Sequence, residues 1–63
     1  MNNRLKEGSI VVIKEFDDIA EHRFRVTDVW PDKVVFGGVA LEGALKGCYG
    51  EPCYEQIKEI VKV

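Results

Sequence analysis

The side chains with reactive potential are few: two cysteines, Cys48 and Cys53, one histidine, His22, and one serine, Ser9. A thiolate activated by His22 is the one nucleophilic pair they allow, because a thiol attacks as its anion and needs a neighbouring base or cation to form it. The spacing implies no third, orienting group, and half-buried thiols are the common state of free cysteines. The same atoms with Asp17 or Asp18 could ligate a metal. Structural zinc, however, takes four ligands with cysteines in closely spaced pairs, and one pair with one distant histidine falls short. The acidic group Asp17, Asp18 and Glu21 lacks the regular oxygen spacing of a calcium loop. Gly38 and Gly43 have the gap of a phosphate loop, yet Ala44 and Leu45 follow where a lysine and a hydroxyl would meet phosphate and magnesium. The expectation is no catalytic residue, no metal site and no cofactor, and hence no enzyme.

Binding is the chemistry that remains. Trp30, Tyr49 and Tyr54 are large aromatics of the kind that anchor protein contacts, and Asp17, Asp18 and Glu21 could receive a basic partner. A second reading uses Arg23 and Arg25, which alternate with Phe24 and Val26, together with Lys33. Cations interleaved with the stacking platforms Trp30 and Tyr49 suit single-stranded nucleic acid. The formal charge of -2 and pI of about 5.3 lack the basic excess of a dedicated phosphate-backbone binder, so a protein partner comes first. Exposed strand edges could also add a partner strand or pair two copies, which keeps a homo-oligomer in view.

These residues must be positioned by a very small object. The chain has 63 residues, 46% hydrophobic and 32% charged, an ordinary globular balance near the lower limit for a core without staples. The expected organisation is an N-terminal arm over residues 1–8 and one domain over residues 9–63. No signal-type apolar stretch follows the first residues, so a cytoplasmic protein with reduced cysteines is expected. The longest uncharged stretch, Val34 to Leu41, is far below the roughly 20 apolar residues of a membrane helix, and no membrane partner is expected.

Valine and isoleucine number 14 against 3 leucines, which favours strands, since branched side chains fit a pleated surface. Gly8 and Ser9 introduce a first strand, Ile10 to Lys14, apolar on both faces. Glu15 to Glu21 is a polar loop anchored by Phe16 and Ile19. From His22 to Trp30 the residues alternate, but the phase slips so that Val29 is apolar instead of Asp28. The slip predicts a bulge or bend near Thr27 and Asp28. Trp30 to Lys33 is a turn, with proline presetting φ, leading into a strand from Val34 to Phe36. Five of the six glycines lie between Gly37 and Gly50. Leu41, Leu45 and Tyr49 share one parity there, which predicts a tightly coiled glycine-rich strand. The last segment fits a short 3₁₀ turn over Pro52 to Gln56 and a closing strand; its alternative is a C-terminal helix ending a β-meander. The expected core is Val11, Ile13, Phe24, Val26, Val34, Phe36, Leu45 and Ile57.

Strand, acidic loop, long bent strand, tight turn, strand, glycine-rich strand, 3₁₀ turn and final strand together resemble the Src homology three type of small barrel. The resemblance lies in element order over Gly8 to Val63. It implies an all-β, five-stranded SH3-like barrel, with Asp17, Asp18 and Glu21 in the matching acidic loop and Pro52 with Tyr54 as a shortened groove element. The aromatic alanine-leucine-tyrosine motif of the first strand is absent, and Trp30 precedes the hairpin turn, so proline-rich peptide specificity is not implied. Tudor, KOW and Sm-like barrels share the architecture, and fold alone does not choose among their partners.

Overall fold

A computed structural model describes residues 5–63. Five strands form, β1 (Ile10–Ile13), β2 (His22–Val29), β3 (Phe36–Ala40), β4 (Tyr49–Gly50) and β5 (Ile57–Lys62), with a 3₁₀ turn over Tyr54–Gln56. They make one antiparallel sheet in the order β4-β3-β2-β1-β5, which is not closed on itself. The chain is therefore all-β, with the 3₁₀ turn before the last strand and no C-terminal helix. Among the described residues no helix is long and apolar enough to cross a membrane.

Alternation dictates the inner face. Successive strand side chains point to opposite sides, so His22, Phe24 and Val26 go inward while Arg23 and Arg25 face out. At the end of β2 the register slips where the sequence does: Val26 opposes Gly38 and Asp28 opposes Gly37, leaving Thr27 as the extra residue of a bulge. The bulge resets the phase and lets Val29 also pack against the core. In β1, Val11 and Ile13 are fully buried, and Ile10 and Val12 are half-buried on the other face.

The core comprises Leu5, Val11, Ile13, Phe24, Val26, Phe36 and Ala40, with Leu45 and Ile57 partly buried at its rim. Phe36 is its centre, edge-on to Phe24 at 5.8 Å between ring centroids and tilted against Tyr54 at 5.2 Å. Leu5, in the expected arm, is buried in this core. The Gly8 N–H donates to the Val26 carbonyl and the Val26 N–H to the Ser9 carbonyl, both at 2.8 Å, which fixes residues 5–9 to β2. Residues 1–4 of that arm lie outside the described residues.

Two expectations are corrected. Val34 is not core; it is 74% exposed. The Trp30–Lys33 turn, closed by the Lys33 N–H on the Trp30 carbonyl at 3.2 Å, leaves Val34 outside the ladder. Its carbonyl accepts from the Tyr54 N–H at 3.0 Å, and the strand begins at Phe36. The glycine-rich strand is likewise mostly a loop. Gly37 and Gly38 belong to β3, but Gly43 and Gly47 each have φ of +81°, a left-handed conformation that breaks strand pairing, and beyond Ala40 only Tyr49–Gly50 joins the sheet.

Candidate functional site

Register carries a row of side chains across all five strands on the outer face. Tyr49 opposes Val39, Val39 opposes Arg25, Arg25 opposes Ile10 and Ile10 opposes Lys62. Directly opposed residues of an antiparallel pair share a face, so this row lies opposite the core. Tyr49 stands at one end of it, 54% exposed, and Trp30 joins it there. Both rings reach over Gly37: a Cβ on that glycine would overlap the Tyr49 hydroxyl and come within 3.1 Å of the Trp30 ring. Glycine in the strand thus forms a floor for the two aromatics.

Charges frame the pair. The Lys33 ammonium stands 5.2 Å from the Trp30 ring centroid, a cation–π distance. The Tyr49 hydroxyl donates to Glu51 Oε2 at 3.2 Å, and Asp28, which accepts from the Thr27 hydroxyl at 2.9 Å, faces the same phenol. Partial loss of solvent, followed by the negative charges of Glu51 and Asp28, holds the Tyr49 hydroxyl above its ordinary pKa. Neither Asp28 nor Glu51 forms a salt bridge with a described cation.

The other expected contact residues are elsewhere. Tyr54 is half-buried and lies against Phe36 on the core side. Asp17 and Asp18 are the centre of a two-residue hairpin turn with φ of +45° and +67°. Phe16 and Ile19 exchange backbone bonds of 3.0 and 2.7 Å across it, the pattern of a type I′ turn, which suits aspartate because its side chain tolerates positive φ. Glu21 is paired with Lys58 at 2.9 Å. The structure therefore brings Trp30 and Tyr49 together and leaves Tyr54, Asp17, Asp18 and Glu21 apart from them.

The basic trio is also divided. Glu42 accepts from the Arg23 backbone N–H at 2.8 Å and from its guanidinium at 3.3 Å, twice. The guanidinium bond first, and the backbone bond next, hold the Glu42 carboxyl below the usual carboxylate range. Arg23 is thus paired locally, Lys33 lies against Trp30, and Arg25 alone of the three occupies the middle of the outer row, its guanidinium without a salt-bridge partner among the described residues.

The reactive side chains do not converge. His22 is buried, with Nδ1 at 2.9 Å from the Ala20 carbonyl, and no hydrogen bond joins it to either cysteine among the described residues. Both cysteines are free. Cys48 is exposed and lines an open groove of about 270 Å³ with Phe16, Phe24, Leu45, Pro52 and Gln56, whose lining also includes Glu51 and Tyr49 of the aromatic pair. Among the described residues no three metal-ligating side chains gather.

Gly37, Asp28 and Glu51 are the site residues that sequence reasoning missed. Asp28 was visible only as a residue out of phase, and its partnership with Glu51 depends on β3 and β4 pairing beside β2. Comparison of the chain with protein-family models, curated proteins and solved structures finds no match.

Proposed function

We propose that the chain is a non-catalytic binding module on a small SH3-type barrel, contacting a protein partner through the outer sheet face at Trp30 and Tyr49. The barrel reading is supported by the element order and by β5 returning to the open side of β1 after a 3₁₀ turn. One observation carries the functional reading: two large aromatics lie together outside the core, over a glycine that leaves them their space. Tyr49 is exposed and Trp30 half-buried beside it, and partly exposed aromatics of this kind are the side chains that anchor protein contacts.

A partner other than a second copy fits best. The β5 edge is interrupted by register shifts at two places and carries Lys58 and Lys62, devices that discourage edge-to-edge pairing, and the opposite edge, β4, has only two residues. The outer row gives the nucleic-acid reading its own support, since Arg25 and Lys62 lie in line with Tyr49. Against it stand the net charge of -2 and the pairing of Arg23 with Glu42.

Affinity capture from a lysate of the source cells, with and without nuclease, tests the reading. Wild type retains a protein after nuclease treatment, and Trp30→Ala loses it while keeping the wild-type circular dichroism spectrum. Retention that nuclease abolishes, or that ignores Trp30→Ala, contradicts it.

A further inference from the structure

Trp30 already holds a cation. Lys33 follows it by one turn, and its ammonium lies over the indole, where the ring quadrupole attracts positive charge. Beyond the indole the phenol of Tyr49 is flanked by Glu51 and Asp28, two carboxylates without a salt-bridge partner among the described residues. Aromatic faces and carboxylate acceptors together complement one class of ligand group: a planar or tetrahedral cation with N–H donors and an apolar stem. The Tyr49 hydroxyl and the Trp30 ring cover Gly37, so the stem of such a side chain meets ring surface rather than backbone.

We infer that the surface patch formed by Trp30, Tyr49, Asp28 and Glu51 receives an arginine or lysine side chain from a basic segment of the partner protein. The inference rests on the module reading above and adds the partner's chemistry. Lys33 is then an internal competitor: it occupies the indole face and repels an incoming cation. Its role reverses under the nucleic-acid reading, where Lys33 would attract phosphate. The sign of the Lys33 effect therefore separates the two.

Trp30 is the single tryptophan, so its fluorescence reports on the patch directly. The full chain is titrated with a short arginine-glycine repeat peptide, with the same peptide carrying citrulline in place of arginine, and with a mixed single-stranded oligonucleotide. The expected result is a saturable change with the arginine peptide alone. Asp28→Asn with Glu51→Gln weakens it by about threefold or more, as exposed ion pairs allow. Lys33→Ala tightens it by about threefold on the same scale. Asp17→Asn with Asp18→Asn, which removes equal charge at the remote turn, leaves it unchanged. Equal binding of the citrulline peptide, equal weakening by the remote pair, no response to the arginine peptide, or weakening by Lys33→Ala overturns the inference. If the citrulline peptide binds as well, the module reading stands without its cationic partner. If only the oligonucleotide moves the fluorescence, and Lys33→Ala weakens it, both fall.

Discussion

The hydroxyl of Tyr49 lies in the space that a Cβ of Gly37 would fill. A glycine in the middle of a strand costs conformational entropy and contributes no packing, so its presence calls for a local cause. Here the cause is an aromatic side chain crossing from the neighbouring strand.

Gly37 and Gly38 are adjacent, yet alanine at the two positions has different consequences. At Gly37 the obstacle is the far end of Tyr49, which can swing away; at Gly38 it is the Arg25 carbonyl oxygen and the Phe24 ring within the core. Gly37→Ala lowers stability by about 1 kcal/mol and displaces the aromatic pair, whereas Gly38→Ala costs about 3 kcal/mol, the upper range of overpacking. Urea midpoints of the two variants measure this, and equal losses contradict it.

Phe36 and Val34 make the corresponding pair for the core. Phe36 is fully buried between Phe24 and Tyr54, so Phe36→Ala costs about 3 to 5 kcal/mol and leaves so small a chain largely unfolded. Val34→Ala changes stability by less than about 0.5 kcal/mol, as an exposed site does. Thermal unfolding followed by circular dichroism distinguishes them.

The hairpin tip predicts opposite effects from two substitutions of one residue. Asp18 has φ of +67°, which a branched side chain resists and glycine accepts freely. Asp18→Val lowers stability by about 1 to 2 kcal/mol, and Asp18→Gly leaves it unchanged or higher by a few tenths. A loss with glycine as large as with valine would assign Asp18 a role beyond the turn.

Much of this was legible before the structure. The phase slip between Val26 and Val29 pointed to a bulge or bend near Thr27 and Asp28, and the structure has it at Thr27, because a period of two cannot place both valines inward without an extra residue. Pro52 and the apolar residues after it fitted a 3₁₀ turn and last strand or a C-terminal helix, and the structure has the first, with the turn over Tyr54–Gln56. What failed did so for tertiary reasons. Val34 looked like a strand residue, but the turn ends at Lys33 as the pattern suggested while the strand begins only at Phe36, which leaves Val34 outside the ladder and exposed. Gly43 and Gly47 fitted an alternating strand as well as a loop, since glycine fits both and only positive φ distinguishes them. The grouping of Asp17, Asp18 and Glu21 was proximity in sequence; in space Glu21 belongs to Lys58 and the aspartates to their own turn. Trp30 and Tyr49 could be named as aromatics, but their meeting point depends on the order β4-β3-β2.

Acid titration tests the Arg23 clamp. The Glu42 carboxyl is held below its ordinary value of 4.5, so the contribution of the clamp is complete above that pH and is lost as pH falls through the depressed folded value. Glu42→Gln therefore makes stability less sensitive to acidification below pH 4.5. Lys58 behaves in the opposite sense. Its bond to Glu21 raises the ammonium pKa above 10.5, so that contribution is present below this pH and disappears as pH rises through the folded value. Lys58→Met flattens the alkaline limb. Stability measured by urea unfolding at several pH values checks both directions.

The account's central claim is that Trp30 and Tyr49 form the binding face, and amide chemical-shift mapping of the labelled chain with its captured partner tests it most directly. The account predicts shifts confined to Asp28, Trp30, Lys33, Gly37, Tyr49 and Glu51, with the buried strands unmoved. Shifts centred instead on the groove at Phe16, Leu45, Cys48 and Gln56, or along the β5 edge, would contradict it.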